Sequence, residues 1–221
     1  VSTQLYNILN RMIDNGLAID TVYDIGACIG SWSSEIKKNC LTDSTFFLFE
    51  ANERYIPILS QSGFYFFTAL LSSPGKGVVK FYNGTNTGDS YYKETTKWYD
   101  EQDSIDLPSY TLDQIIEAHK LPIPDLIKID TQGSELDILS GCESIIDKVS
   151  LIHIECPIIE YNLGAPKIQD YLDYFKSKNF IPVELTEVHI GEDTLLQIDI
   201  LFVRKDVKEK YLQPNNFIRV L

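Results

Sequence analysis

Val22-Tyr23-Asp24-Ile25-Gly26-Ala27-Cys28-Ile29-Gly30 holds the turn on which the fold rests. The apolar run from Thr21 to Ile25 stops at one glycine. A second glycine follows four residues on, just before a segment of helical character from about Ser31 to Lys38. A buried strand that passes through a tight glycine turn into a helix is the opening unit of an α/β sheet. Gly26 and Gly30 let the backbone turn sharply and approach a ligand closely.

Outward from that turn, the same alternation continues. Upstream, Leu5, Ile8, Leu9, Met12 and Ile13 repeat at helical spacing, and Asp14-Asn15-Gly16 closes that helix. Downstream, Thr45 to Glu50 is a second strand, apolar until its last carboxylate. A helix from about Glu53 to Gln61, a third strand from Phe64 to Leu70 and an extra strand from Val78 to Tyr82 are expected next. Residues 83–104 are polar and turn-rich, with Tyr91, Tyr92, Trp98 and Tyr99, and read as a long loop of the kind that often carries function.

Thr111-Leu112-Asp113-Gln114 is a capping box, and Ser134-Glu135-Leu136-Asp137 reads as another, opening a helix through about Ile146. Asp125 to Asp130 and Val149 to Cys156 are the fourth and fifth strands. Pro166 suits the first turn of a helix that buries Ile168, Tyr171, Leu172 and Phe175. Phe180 to Glu184 and Leu195 to Val203 close the chain as a hairpin. The fold class expected is α/β and Rossmann-like: a mostly parallel seven-stranded sheet, helices on both faces, one antiparallel edge strand. Residues 1–221 read as a single domain, with an N-terminal helix within 1–20 and 83–104 as a candidate substrate loop.

In open α/β sheets, ligands bind outside the carboxyl ends of the strands. Glu50 ends the second strand, about two dozen residues after the glycine turn, where a carboxylate can take both ribose hydroxyls. The turn is G-x-x-x-G rather than the G-x-G-x-x-G of a pyrophosphate site, and Asp24 immediately precedes it. An acid there suits the cationic part of S-adenosylmethionine better than a dinucleotide. Lys128 and Asp130 lie two apart on one face of the fourth strand, as do His153 and Glu155 on the fifth. Lys128 is expected in a structural ion pair tying its strand to the helix at Ser134. Asp130 and Glu155, nearer the strand ends, are expected in the active crevice. His153 reads equally as a core histidine or a catalytic one, and His119 and His189 receive no role.

These residues resemble the FkbM-type S-adenosylmethionine-dependent methyltransferases. The similarity covers roughly residues 20–204. It lies in Val22 to Gly30, in Phe49-Glu50-Ala51-Asn52, and above all in Thr111-Leu112-Asp113 with the block Leu126 to Gly141. His153-Ile154-Glu155 and Gln197 to Arg204 add to it. The resemblance implies a class I methyltransferase fold, S-adenosylmethionine as cofactor and O-methyl transfer, often to sugar or natural-product hydroxyls. It places cofactor contacts on Asp24, Gly26, Ala27, Gly30, Ser31, Glu50, Ala51 and Asp130, with Leu71 or Ser72 near the adenine. Cys28 stands where asparagine is common in the family, which removes a polar side chain from the turn.

An alcohol acceptor must lose its proton, and the candidates for that base are Glu155, Asp130 and His153, in that order. Asp130, Glu155 and Asp199 offer oxygen ligands for Mg²⁺, but no compact motif links them and no metal is predicted. A nicotinamide-dependent oxidoreductase and a catalytically silent binding module stay open as alternatives. The formal charge of −13 comes with no basic stripe, so nucleic acid and anionic membranes are poor partners and a small-molecule or glycan acceptor fits better. Hydrophobic content of 44% is ordinary for a globular chain, and no apolar run is long enough for a membrane span. No leader-like segment opens the sequence, and Cys28, Cys40, Cys142 and Cys156 show no zinc or redox spacing. The expected compartment is the cytoplasm, with Cys28, Cys142 and Cys156 as small buried thiols.

Overall fold

The structure, a computed structural model, describes residues 1–83, 88–96 and 103–212. In chain order the elements are α1 (Thr3–Asp14), β1 (Thr21–Ile25), α2 (Ser31–Asn39), β2 (Thr45–Glu50), α3 (Ile56–Leu59), β3 (Tyr65–Thr68), β4 (Leu70–Leu71) and β5 (Val78–Asn83). There follow β6 (Asp103–Tyr110), α4 (Leu112–His119), β7 (Leu126–Ile129), α5 (Glu135–Ser140), β8 (Leu151–Pro157), α6 (Ile168–Ser177), β9 (Phe180–Gly191), β10 (Thr194–Arg204) and α7 (Lys205–Tyr211).

The main sheet has seven strands in the order β3-β2-β1-β7-β8-β10-β9, all parallel except β10. The chain leaves β3 and returns at β7 beside β1, so the strand order reverses between β1 and β7. That is where an open sheet splits to admit a ligand. The closing hairpin supplies the antiparallel strand at this end of the sheet. β10 inserts between β8 and β9, and β9 forms the margin.

Apolar residues alternate to the two faces. Val22, Leu126, Leu151 and Leu201 pack under Leu5, Leu9, Met12 and Ile36 of α1 and α2. Tyr23, Ile127, Ile152 and Phe202 pack under Leu112, Ile138, Tyr171 and Phe175 of α4, α5 and α6. Each helix presents one apolar stripe to one side of the sheet, as a two-sided α/β core requires.

Several local expectations are corrected. The run Phe64 to Leu70 is two strands: β3 pairs with β2 as far as Thr68, and Leu70–Leu71 joins a second, three-stranded sheet of order β4-β6-β5. β6 falls partly in the stretch read as a loop. Its Asp103, Ser104 and Asp106 face solvent, so it lacks the apolar alternation that marks a strand. The second capping box does not form: Ser134 makes no cap, its Oγ donating to Thr131 Oγ1 at 2.8 Å, and α5 ends at Ser140. The box at Thr111 does form, with Gln114 closing it. β9 runs to Gly191, far beyond the expected Glu184, whereas β10 exceeds its expected span by one residue at each end, and α7 is an additional element. Among the described residues no helix is long and apolar enough to cross a membrane.

Candidate functional site

Two cavities open at the carboxyl ends of β1, β2, β7 and β8, and Gly26, Cys28, Asp130 and Gln132 line both. The first is narrow, about 60 Å³, and is walled by Glu50, Ala51, Leu70, Leu71, Phe81 and Ile138 among others. Glu50 is buried at the end of β2, where one carboxylate oxygen accepts the Cys28 N–H at 2.7 Å and the other the Asn52 N–H at 2.8 Å. Each oxygen keeps a lone pair for a further donor. Burial raises the Glu50 pKa, and those two backbone donors work against the rise.

At the end of β1, Gly26 has φ +74, and a Cβ there would lie 1.9 Å from the Asp130 carbonyl oxygen. The glycine is therefore required by close backbone approach as well as by its dihedral. Cys28 also holds a left-handed φ of 51, a conformation asparagine adopts more readily than cysteine. It is half-buried, whereas Cys142 and Cys156 are buried as expected, and all four thiols are free. A carboxylate with spare acceptors at the end of β2 and a turn with no room for a Cβ fit an adenosine-bearing cofactor.

The charged residues of β1, β7 and β8 occupy two depths on the α2 side of the sheet. Asp24, Lys128 and His153 are register neighbours and form a deep row. Asp24 is fully buried, accepts the Ser33 hydroxyl at 2.6 Å, and lies 3.3 Å from the Lys128 ammonium. It is on the wall of neither cavity and is engaged in an internal ion pair with Lys128. Lys128 also approaches Asp130 at 3.5 Å and donates to the Gly26 carbonyl at 3.3 Å. It thus ties β7 to β1, not to the helix at Ser134 as expected. Burial by itself lowers the Lys128 pKa, but Asp24 and Asp130 outweigh it and hold the ammonium charged.

His153 is buried, stacks on Trp32 with ring centroids 6.0 Å apart, and bonds Thr186 Oγ1 through Nε2 at 2.8 Å. Thr186 gives its own proton to the Asp199 carbonyl at 3.1 Å, so Nε2 of His153 is the donor and the ring is neutral. Burial pushes its pKa down to about 4. It lines neither cavity, which favours the core-histidine reading over the catalytic one.

One register step nearer the mouth lies the second row. Asp130, just past β7, has its carboxylate 3.0 Å from the Gln132 amide nitrogen. The same amide donates to Glu155 at 2.9 Å, so Gln132 bridges the two acids. Gln132 holds φ 56 in a loop fastened from beneath by Glu135, a fully buried carboxylate. Glu135 accepts from the backbone N–H groups of Thr131 and Gly133 and from the Tyr171 hydroxyl.

Glu155 takes further bonds from Gln197 and Tyr161. Burial drives its pKa well above the usual carboxylate range, with Asp130, Glu135 and Asp199 adding to the rise. Asp199 is its register partner on β10, and His189 of β9 lies 3.3 Å from Asp199. Hydrogen bonding to Asp199 raises the His189 pKa.

The second row faces a cleft of about 910 Å³, within the size of small-molecule sites, whose other walls include Ala27, Ser31, Trp32, Glu94 and Glu192. Of the expected cofactor residues, Gly26, Glu50, Ala51, Leu71 and Asp130 line the first cavity, and Ala27 and Ser31 the second. Asp24, Gly30 and Ser72 line neither. Gln132 was missed although it sits in the block that ends β7, two residues after Asp130. Tyr161, His189 and Gln197 were missed because only the pairing of β8, β10 and β9 brings them to the site.

The aromatic loop is partly visible. Tyr91 lines the first cavity, and the hydroxyls of Tyr91 and Tyr92 donate to Asp137 at 2.7 and 2.9 Å. Lys76 reaches the same carboxylate at 2.7 Å. Trp98 and Tyr99, the other aromatic residues of the candidate substrate loop, lie outside the described residues.

Residues 24–182 match the family model described as the Methyltransferase FkbM domain. The hexuronic acid methyltransferase AglP of Haloferax volcanii is 21% identical over 199 residues, covering 86% of this chain and 75% of that protein. Among solved structures, TrmK of M. capricolum, in complex with S-adenosyl-homocysteine, superposes with a TM-score of 0.50 at 12% identity, over 91% of this chain and 69% of that one. A methyltransferase FkbM from Methylobacillus flagellatus KT gives a TM-score of 0.49 at 15% identity, over 82% of this chain and 43% of that one.

Proposed function

Because the chain belongs to the FkbM methyltransferase family, with S-adenosylmethionine as methyl donor, we propose that it methylates a hydroxyl of a sugar-like acceptor in the larger cleft. The observation that carries this reading is the shared wall: Gly26, Cys28, Asp130 and Gln132 border both cavities, so donor and acceptor meet there. Glu50 would hold the ribose hydroxyls, Leu71 and Ala51 the adenine, and Gly26, Ala27 and Ser31 the remainder of the cofactor.

When bound, the cofactor supplies an electrophilic methyl group on a sulfonium. An acceptor hydroxyl held in the larger cleft would give up its proton to a carboxylate on the same wall, Glu155 or Asp130, as its oxygen took that methyl group. Gln132 fixes both acids relative to the donor, and such positioning accounts for much of the rate in displacements of this type. The acceptor wall carries Glu94, Asp130, Glu155 and Glu192. Of its cations, Lys128 is committed to Asp24 and Asp130. That balance, with the net charge of −13, favours a neutral hydroxyl over a carboxylate acceptor and a carbohydrate over a nucleic acid.

Calorimetric titration with S-adenosylmethionine, S-adenosylhomocysteine and NADH tests the donor site: the first two bind and the third does not. Binding of NADH alone would overturn the reading. Glu155→Gln is expected to lower turnover by ~10²–10⁴-fold on any accepted sugar with cofactor affinity unchanged. Unaltered turnover would remove Glu155 from the chemistry.

A further inference from the structure

Glu155, Asp199 and His189 come from three adjacent strands, β8, β10 and β9, and converge at the mouth of the sheet. One donor atom from each lies within 4.8 Å of the other two, and the His189 and Asp199 atoms are 3.3 Å apart. Three donors on one face of an octahedral ion at ~2.1 Å would sit about 3 Å apart, so small side-chain rotations close the set.

Two of these atoms are poorly provided for within the protein. Asp199 Oδ1 and His189 Nε2 are both shut off from solvent and face each other at 3.3 Å, and neither makes a hydrogen bond to any other group among the described residues. Asp199 also stands directly opposite Glu155, a pairing of two acids that is unfavourable without a counter-charge. The ammonium on this wall, Lys128, is engaged deeper in the sheet by Asp24 and Asp130. Glu155, in contrast, is aimed by Gln132, Gln197 and Tyr161, the kind of outer support that orients a ligating carboxylate.

We propose that Glu155, Asp199 and His189 bind one divalent cation of the Mg²⁺ or Mn²⁺ class at the acceptor end of the cleft. Two carboxylates and one imidazole, with no thiol, suit a hard or borderline ion. The ion would sit where an acceptor hydroxyl enters, a placement that rests on the methyl-transfer reading, whereas cation binding does not. With Glu155 engaged as a ligand, Asp130 is the carboxylate left to take the acceptor proton.

The test is Mn²⁺ titration of the full chain, followed by loss of the free-ion paramagnetic signal, with pulsed detection of imidazole nitrogen coupled to the bound ion. Saturable uptake of one equivalent with nitrogen coupling is expected. Asp199→Asn should weaken binding at least about tenfold, and His189→Gln should abolish the nitrogen coupling. S-adenosylmethionine titrations of the same samples check that each variant is folded and separate the two readings. Cofactor binding without Mn²⁺ uptake overturns the cation site alone. Mn²⁺ uptake without cofactor binding leaves the site standing and removes the methyl-transfer reading. Uptake with no nitrogen coupling in the wild type also overturns the proposal, even if a variant fails to fold. A protonated His189 simply paired with Asp199 would give that negative result.

Discussion

Two charged rows lie on the same side of the sheet, one register step apart, and they do different things. The deep row, Asp24, Lys128 and His153, is sealed beneath α2 and held within the protein by Ser33, Thr186 and the Gly26 carbonyl. The mouth row, Asp130, Glu155 and Asp199, is three carboxylates that border open space and are joined by amides and an imidazole. Depth along the strand separates structure from chemistry here, and the cation of the deep row is what lets its acid be sealed in. A buried charge must be paired to be tolerated, whereas one at the mouth can leave capacity for a ligand.

The sharpest way to break this arrangement is Gly26→Ala. The new Cβ would fall on the Asp130 carbonyl, where β1 and β7 meet between the rows. Loss of cofactor binding, with a large fall in unfolding temperature, is expected; a variant that binds normally would show that the contact yields. Next is Lys128→Met, which strands Asp24 in the deep row. A loss of ~3–5 kcal/mol in denaturant unfolding is expected. A purely catalytic defect with unchanged stability would move Lys128 into the mouth row.

Glu135→Gln probes the loop that carries Gln132 to the mouth. One carboxylate oxygen becomes an amide NH₂ facing backbone N–H donors, so a loss of about 1–3 kcal/mol is expected, with weakened acceptor turnover. The smallest effect should come from Cys28→Asn. Asparagine tolerates the left-handed φ at this position, and urea unfolding should show a gain of about 0.5–1 kcal/mol. A loss would mean that the thiol's packing outweighs its backbone strain.

How much of this was legible beforehand follows from the range of each signal. β1, β2 and their turn were read to the residue, because a short apolar run ending in glycine or a carboxylate is local information. Gly26 and Glu50 at those strand ends, and Asp130 just past β7, line the first cavity and stand in equally local patterns. His153 was drawn toward the site by its parity with Glu155, and Asp24 by its place before the glycine turn; both signals are visible in sequence and depth is not. β6 was missed because its polar residues face solvent and its partners β4 and β5 are remote in sequence.

The amino-acid sequence by itself determined the alternation of strands and helices, the glycine turn, the acid at the end of β2 and the block that ends β7. Those patterns arise from neighbours a few residues apart, which backbone sterics and hydrophobic periodicity tie together. Only the tertiary structure decided that His189 and Asp199 join Glu155, that Lys128 serves Asp24, and that Gln132 spans two carboxylates. Each of those depends on which strands lie side by side and in what register, and the pairing of β8, β10 and β9 is set by the packing of the whole sheet.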